Sequence, residues 1–186
     1  IEIKRKDVVA ASLVTTGSRV LLPGKSFTFT VSTTAQLPTY KWFKDGVELT
    51  GETASTYTAN DVGKYKAEVT QTGGCSVSVV TDEIELRGPS NFKVTIKPKT
   101  AYQPCEYSAI TLAVDKIVAQ VDDKELVIDP TDYNFFSFQW QANINGTYAN
   151  AATTQELSLS NAFENGKYKL SLSATGFTAI PDSNEL

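Results

Sequence analysis

Apolar and polar residues alternate along most of this chain. Phe27, Phe29 and Val31 share one parity, as do Tyr40 and Trp42, then Tyr65, Ala67 and Val69, then Val77 and Val79. The second half repeats the behaviour in Ile110, Leu112 and Val114, in Phe136, Phe138 and Trp140, in Leu157 and Leu159, and in Tyr168, Leu170 and Leu172. The positions between them are mainly Thr, Ser, Lys and Gln, residues suited to a wet face. A period of two with one apolar face predicts half-buried antiparallel strands packed in a sandwich. No long stretch shows helical periodicity.

The alternation comes in two copies. Tyr40-Lys41-Trp42-Phe43-Lys44-Asp45-Gly46 corresponds to Phe138-Gln139-Trp140-Gln141 followed by Asn145-Gly146, with the tryptophans 98 positions apart (140 − 42). Asp61-Val62-Gly63-Lys64-Tyr65-Lys66 corresponds to Glu164-Asn165-Gly166-Lys167-Tyr168-Lys169, with the tyrosines 103 apart (168 − 65). Two landmarks at nearly one offset mark an internal repeat. Asp45-Gly46 and Asn145-Gly146 suit the positive φ of a tight hairpin. Arg87-Gly88-Pro89-Ser90 reads as the boundary, since proline cannot continue a ladder and glycine bends freely. The expected organisation is therefore a domain over 1–87 and another over 88–186, joined by a short linker into a semi-rigid, elongated pair. Thr175 to Leu186 is short on alternation and contains Pro181, so the second domain is expected to lack its final edge or to close it irregularly.

At these residues the chain resembles the immunoglobulin superfamily. A buried tryptophan on strand C and an Asp-x-Gly-x-Tyr corner before strand F are its hallmarks. Asp61, Gly63 and Tyr65 match the corner fully, and Gly166 and Tyr168 match it in part. The resemblance implies an all-β fold of two tandem immunoglobulin-like antiparallel β-sandwiches, with a long insertion between strands B and C of the second (about 115–134). The usual B–F disulfide is missing: its F-strand positions are Ala67 and Leu170, so packing alone holds these cores. The wording of the first copy, with Gly-Lys-Tyr and Gly73-Gly74-Cys75, is similar to immunoglobulin-like repeats of Bacteroidetes cell-surface proteins. These include gliding-motility adhesins and other type IX secretion substrates. Such repeats often carry one cysteine before strand B and another after the F–G turn. Cys105 and Cys75 match one position each, in different domains. Export would favour a disulfide, but two separate thiols is the plainer reading, and a Cys75–Cys105 bond requires domains that fold back on each other.

Charge and composition narrow the function. The net charge of -4 disfavours phosphate backbones and anionic lipid as partners. Lys4-Arg5-Lys6 is the only basic run and reads as a solvated approach to the first strand. No segment approaches the roughly 20 apolar residues of a membrane span. The chain has no Met, and with no signal peptide it reads as a piece of a longer protein. It also has no histidine, which removes Ser-His-Asp and Cys-His catalysis and the commonest zinc ligand. No phosphate-cradling glycine loop appears, and no cofactor is implied.

The segment Asp115 to Asn134 is the most unusual. Its carboxylates, Asp122, Asp123, Asp129 and Asp132 with Glu125, make it a weak calcium candidate, although the spacing fits no EF-hand loop. The alternatives are an inserted hairpin, with Ile117-Val118 and Leu126-Val127-Ile128 as short strands, a solvated loop, or a ligand contact. Loops at a sandwich end commonly carry binding function, which makes this the best contact site in the chain. Asn145-Gly146-Thr147 is a glycosylation sequon that turn geometry explains equally well. Tyr57, Tyr102 and Tyr148 could stack on sugars but read first as strand or corner residues. The expectation is a non-enzymatic structural or adhesive module of a larger exported bacterial surface protein. Its partners would be other domains of the same polypeptide and an extracellular glycan or protein surface, without nucleic acid or membrane insertion. The alternatives are an accessory carbohydrate- or protein-binding module of an extracellular enzyme, and a eukaryotic immunoglobulin-type receptor fragment.

Overall fold

A computed structural model describes residues 8–99, 109–160 and 166–186. The Lys4-Arg5-Lys6 run, Tyr102, Cys105 and the Glu164-Asn165 part of the second corner lie outside them. The structure is all-β, every strand pairing is antiparallel, and the chain divides between Gly88 and Pro89 into two compact units.

In the first unit the strands are β1 (Ala11–Val14), β2 (Phe27–Thr33), β3 (Pro38–Lys44), β4 (Val47–Leu49), β5 (Thr56–Ala59), β6 (Gly63–Gln71), β7 (Val77–Val80) and β8 (Ile84–Leu86). One sheet has the order β1-β2-β5; the other runs β4-β3-β6-β7, with β8 also on β6. The inward residues are those the alternation selects. Phe29, Trp42, Ala67 and Val69 are wholly buried and Tyr65 nearly so. Phe29 on one sheet meets Tyr65 on the other at 5.0 Å between ring centroids, and Trp42 at 6.3 Å, so the two sheets face each other across one aromatic core. The Trp42 indole is buried without losing its hydrogen bond, donating to the Ala54 carbonyl at 2.9 Å.

Beyond β1 the chain crosses to the opposite sheet. Leu21 N–H donates to Arg87 O, and Arg87 N–H donates to Arg19 O, forming a parallel bridge at Val20. Asp45-Gly46 makes the predicted tight turn between β3 and β4, with φ of 50° and 82°. The Tyr65 hydroxyl donates to Asp61 O at 2.7 Å, closing the corner. Gly63 is required there. Its φ is +149°, and a Cβ would lie 2.8 Å from Asp45 Oδ2, whose partner oxygen accepts from Lys64 N–H.

In the second unit the strands are β9 (Asn91–Pro98), β10 (Ile110–Val121), β11 (Lys124–Val127), β12 (Phe136–Asn143), β13 (Tyr148–Ala152), β14 (Glu156–Leu159) and β15 (Lys167–Ala174). One sheet runs β11-β10-β14 with β9 also on β10; the other runs β13-β12-β15. Trp140 and Leu170 are wholly buried, and the Trp140 indole donates to Thr154 O at 2.8 Å, repeating the Trp42 arrangement.

The final edge closes irregularly, one of the two outcomes left open by the sequence. Ser183 N–H donates to Leu170 O, and Tyr168 and Leu186 exchange both backbone bonds, without forming a regular strand. Side chains supply what the ladder lacks. The Asn184 carboxamide accepts from Ile96 N–H at 2.9 Å and donates to Ile96 O at 3.2 Å, and Asn91 donates to Ala179 O.

Two expectations need correction. Asn145-Gly146 is not a two-residue hairpin turn: Asn143 pairs with Tyr148, so four residues form the loop, and only Gly146 has positive φ. Residues 115–134 contain the inserted hairpin that the sequence offered, but its first strand is not a separate short piece at Ile117-Val118. The strand β10 continues through a bulge between Val114 and Lys116 as far as Val121. The bulge slips the alternation by one, from Ile110, Leu112 and Val114 to Ile117, Ala119 and Val121.

Candidate functional site

The segment after the bulge is a hairpin with a packed base. β10 pairs β11 from Val118↔Val127 to Val121↔Lys124, and Ile128 N–H donates to Ile117 O. The turn is Asp122-Asp123, with Asp122 at φ 53°. A 3₁₀ helix, Pro130–Phe135, then leads into β12. Its Tyr133 is buried, and the hydroxyl accepts from Ile117 N–H at 3.1 Å, satisfying a donor left in the buried strand beyond the bulge. Burial pushes the Tyr133 phenol up. Phe92, Phe135, Phe136 and Phe177 stack beside it with centroid separations of 4.2–5.7 Å. The base is thus part of the core, and the tip from Asp122 to Glu125 is exposed together with Val127. Ser90 N–H donates to Gln120 O, so the tip lies at the end where the chain enters this unit.

The carboxylates are separated and separately engaged. Asp129 caps the 3₁₀ helix, accepting from Thr131 Oγ1 at 2.7 Å and Thr131 N at 2.9 Å, which holds its carboxyl low. Asp132 follows in the first turn of that helix. Asp122 and Asp123 occupy the opposite end of β11. Glu125 pairs with Lys93 at 2.6 Å and Asp115 with Lys97 at 2.7 Å; each lysine hydrogen bond lowers its partner's pKa. Lys99 and Glu156 extend this ion-paired face at 2.8 Å. Among the described residues no group of three or more His, Cys, Asp or Glu side chains converges as a metal site. What this arrangement provides is an exposed, charged hairpin tip at the end of a sheet, since β9 flanks β10 as far as Gln120↔Asn91.

A second feature escaped the sequence reading. On the outer face of β12 and β15 lies a groove of about 610 Å³, whose lining mixes Ser137, Gln139, Thr153, Ser171 and Ser173 with Phe136, Phe138 and Leu172. Ser137 stands opposite Ser173, and Gln139 opposite Ser171. β13 pairs with β12 only from Trp140 to Asn143, so among the described residues the Phe136–Gln139 edge has no neighbouring strand beside the groove. Alternation had assigned the polar positions simply to a wet face. Small hydroxyls face one another on other strands too, as at Thr28 and Thr58 or Thr70 and Ser78, so composition did not mark this face.

Of the tyrosines, Tyr57 packs into the first core, 5.5 Å from Trp42 and 5.7 Å from Tyr65, which removes it as a sugar platform. Tyr148 has Lys169 Nζ 4.4 Å above its ring centroid and donates its hydroxyl to Glu185. Cys75 is an exposed free thiol in the turn between β6 and β7. Among the described residues no helix is long and apolar enough to cross a membrane.

No protein-family model and no curated protein matches the chain. Solved structures similar to it include the amphioxus IgVJ-C2 molecule at 16% identity, covering 88% of this chain and 97% of that one, with a TM-score of 0.34. The human OSCAR ligand-binding domain matches at 13% identity, covering 95% and 96%, with a TM-score of 0.36. The fibronectin(III)-like modules of Clostridium thermocellum CbhA match at 11% identity, covering 96% and 91%, with a TM-score of 0.32. The immunoglobulin-like character of each unit rests on its own strand order and buried tryptophan, and in the first unit also on the corner hydrogen bond.

Proposed function

We propose that the chain is a non-enzymatic structural or adhesive module, two immunoglobulin-like sandwiches in tandem, within a larger exported bacterial surface protein of the Bacteroidetes gliding or type IX secretion kind. It acts as spacer or as surface contact, with neighbouring domains of the same polypeptide as its first partners. The observation that carries this reading is the hairpin of β10 and β11. Its base is locked into the core by Tyr133 and the phenylalanine cluster, while its tip is exposed and charged. An exposed, charged tip on a packed base suits contact between surfaces. The absence of histidine from the whole chain supports a role without catalysis.

The groove on β12 and β15, part hydroxyl and part apolar, favours a second reading, an accessory module that binds an extracellular carbohydrate or protein. One experiment separates the two. The chain is applied to an array of glycans and matrix proteins, with and without calcium, beside a variant with the Asp122–Glu125 tip neutralised and a variant with Ser171→Lys. Binding lost only on changing the tip supports the contact role. Binding lost only in Ser171→Lys supports the accessory module. Silence throughout supports the spacer, and glycan or peptide turnover by the chain would sink both readings.

A further inference from the structure

The turn between β12 and β13 carries chemistry that neither reading uses. Asn145 and Gly146 are both exposed, and Gly146 has φ +89° with nothing within 4 Å of where a Cβ would stand. Asn143 and Tyr148 are the last paired residues on either side, so the four residues between them lie outside the ladder. Among the described residues neither the Asn145 carboxamide nor the Gly146 backbone N–H has a hydrogen-bond partner. A free backbone nitrogen therefore sits next to a free side-chain amide, with no side chain on the following residue to obstruct their approach.

We propose that Asn145 is a site of spontaneous deamidation through a succinimide. The Gly146 nitrogen attacks Asn145 Cγ, forming a C–N bond and giving up its proton, and the side-chain nitrogen leaves as ammonia. Water then opens the ring at one of its two carbonyls. The product at position 145 is an aspartyl or an isoaspartyl residue, and either adds one negative charge to the turn. Other asparagines in the same region lack this combination. Asn143 is paired within β12 and precedes the β-branched Ile144, while Asn150 is paired with Gln141 inside β13. The fold tolerates the change, because all four loop residues are exposed and none is paired in the ladder.

The test is to age the full chain at mildly alkaline pH and cleave it after glutamate. This places Asn145 in the Leu126–Glu156 peptide and Asn165, which precedes Gly166, in a different one. The expected result is the mass gain of amide-to-acid conversion, localised by fragmentation to position 145. It should appear severalfold faster than at Asn143 or Asn150, split between two chromatographic forms, and disappear in Asn145→Gln. Ageing in heavy-oxygen water should place one labelled oxygen in each product. An unchanged peptide, or a gain spread evenly over Asn143, Asn145 and Asn150, would overturn the assignment.

Discussion

The Thr81 hydroxyl lies 3.0 Å from the backbone nitrogen of Ala67, and Thr81 N–H donates to Ala67 O at 2.9 Å, so one residue holds both polar groups of the other. Thr81 sits in the break between β7 and β8 and is the buried polar residue among the described ones. The second unit repeats this relationship. Leu170 N–H donates to Ser183 Oγ at 2.9 Å, Ser183 N–H donates to Leu170 O at 2.9 Å, and each hydroxyl donates onward to the next carbonyl, Asp82 O or Asn184 O. Ala67 and Leu170 are the positions where the immunoglobulin resemblance would place a cysteine. In their place a hydroxyl clasp ties each of these strands to the last edge of its own unit.

Thr81→Val keeps the shape and removes the acceptor. Ala67 N–H is then left buried and unsatisfied, which costs about 1–3 kcal/mol. Urea unfolding of the first unit should shift by that amount, and Thr81→Ser should recover most of it. Equal stability of the Val and Ser variants would mean that the hydroxyl contributes nothing beyond its methyl group.

Tyr65→Phe removes the corner bond to Asp61 O at a cost of about 1 kcal/mol. The same residue sets an alkaline limit. Burial, followed by the charges nearby, raises its pKa to about 12 in the folded chain from an ordinary 10.0. A raised folded value means that the contribution is complete below pH 10.0 and is lost as pH rises through about 12. Wild type should therefore lose stability over that window more steeply than Tyr65→Phe in alkaline denaturation.

The last segment of the second unit should loosen in acid. Burial pushes the Asp182 carboxyl up, but hydrogen bonds from Lys169 and Ser171 outweigh it and leave the group low. Glu185 is held low by the Tyr148 hydroxyl and by Lys167. Depressed carboxyls contribute above their unfolded pKa values and cease to as pH falls through the folded ones. Amide exchange at Tyr168 and Leu170, measured as pH drops below the usual carboxylate range, should quicken relative to Trp140. Uniform protection of all three would refute the ionic tether.

Much of this was legible in the sequence because it is periodic or chemically distinctive. Alternation placed Phe29, Trp42, Tyr65, Trp140 and Leu170 inward, and the Asp-x-Gly-x-Tyr spacing gave the corner at Tyr65. The hydroxyl clasp was not read, because one Thr or Ser in a strand break has no period. Its signal was present as Thr81-Asp82-Glu83-Ile84 against Ser183-Asn184-Glu185-Leu186, offset by 102 (183 − 81). The continuation of β10 was hidden because the bulge at Asp115 changes parity, and a strand that changes parity reads as two pieces. The groove was missed because facing across strands, Ser137 to Ser173, is a property of register, which alternation alone does not supply.

Tyr133→Phe tests whether the hairpin is a rigid part of the second unit or an appended loop. Its hydroxyl is the acceptor for Ile117 N–H, and Ile117 is wholly buried, so water cannot replace it without opening the structure. Leaving that donor unsatisfied costs about 1–3 kcal/mol. The ring, its contact with Phe136 and most of the buried area remain, so the change isolates the hydrogen bond. If hairpin and core are one cooperative body, urea unfolding of the second unit shifts by that amount, and exchange of the Val118–Val127 pairs accelerates in step with Trp140 and Leu170. If the hairpin opens on its own, its amides exchange faster while the core is unaffected. The exposed tip would then ride on a mobile stem, and the packed base on which the contact role rests would be lost.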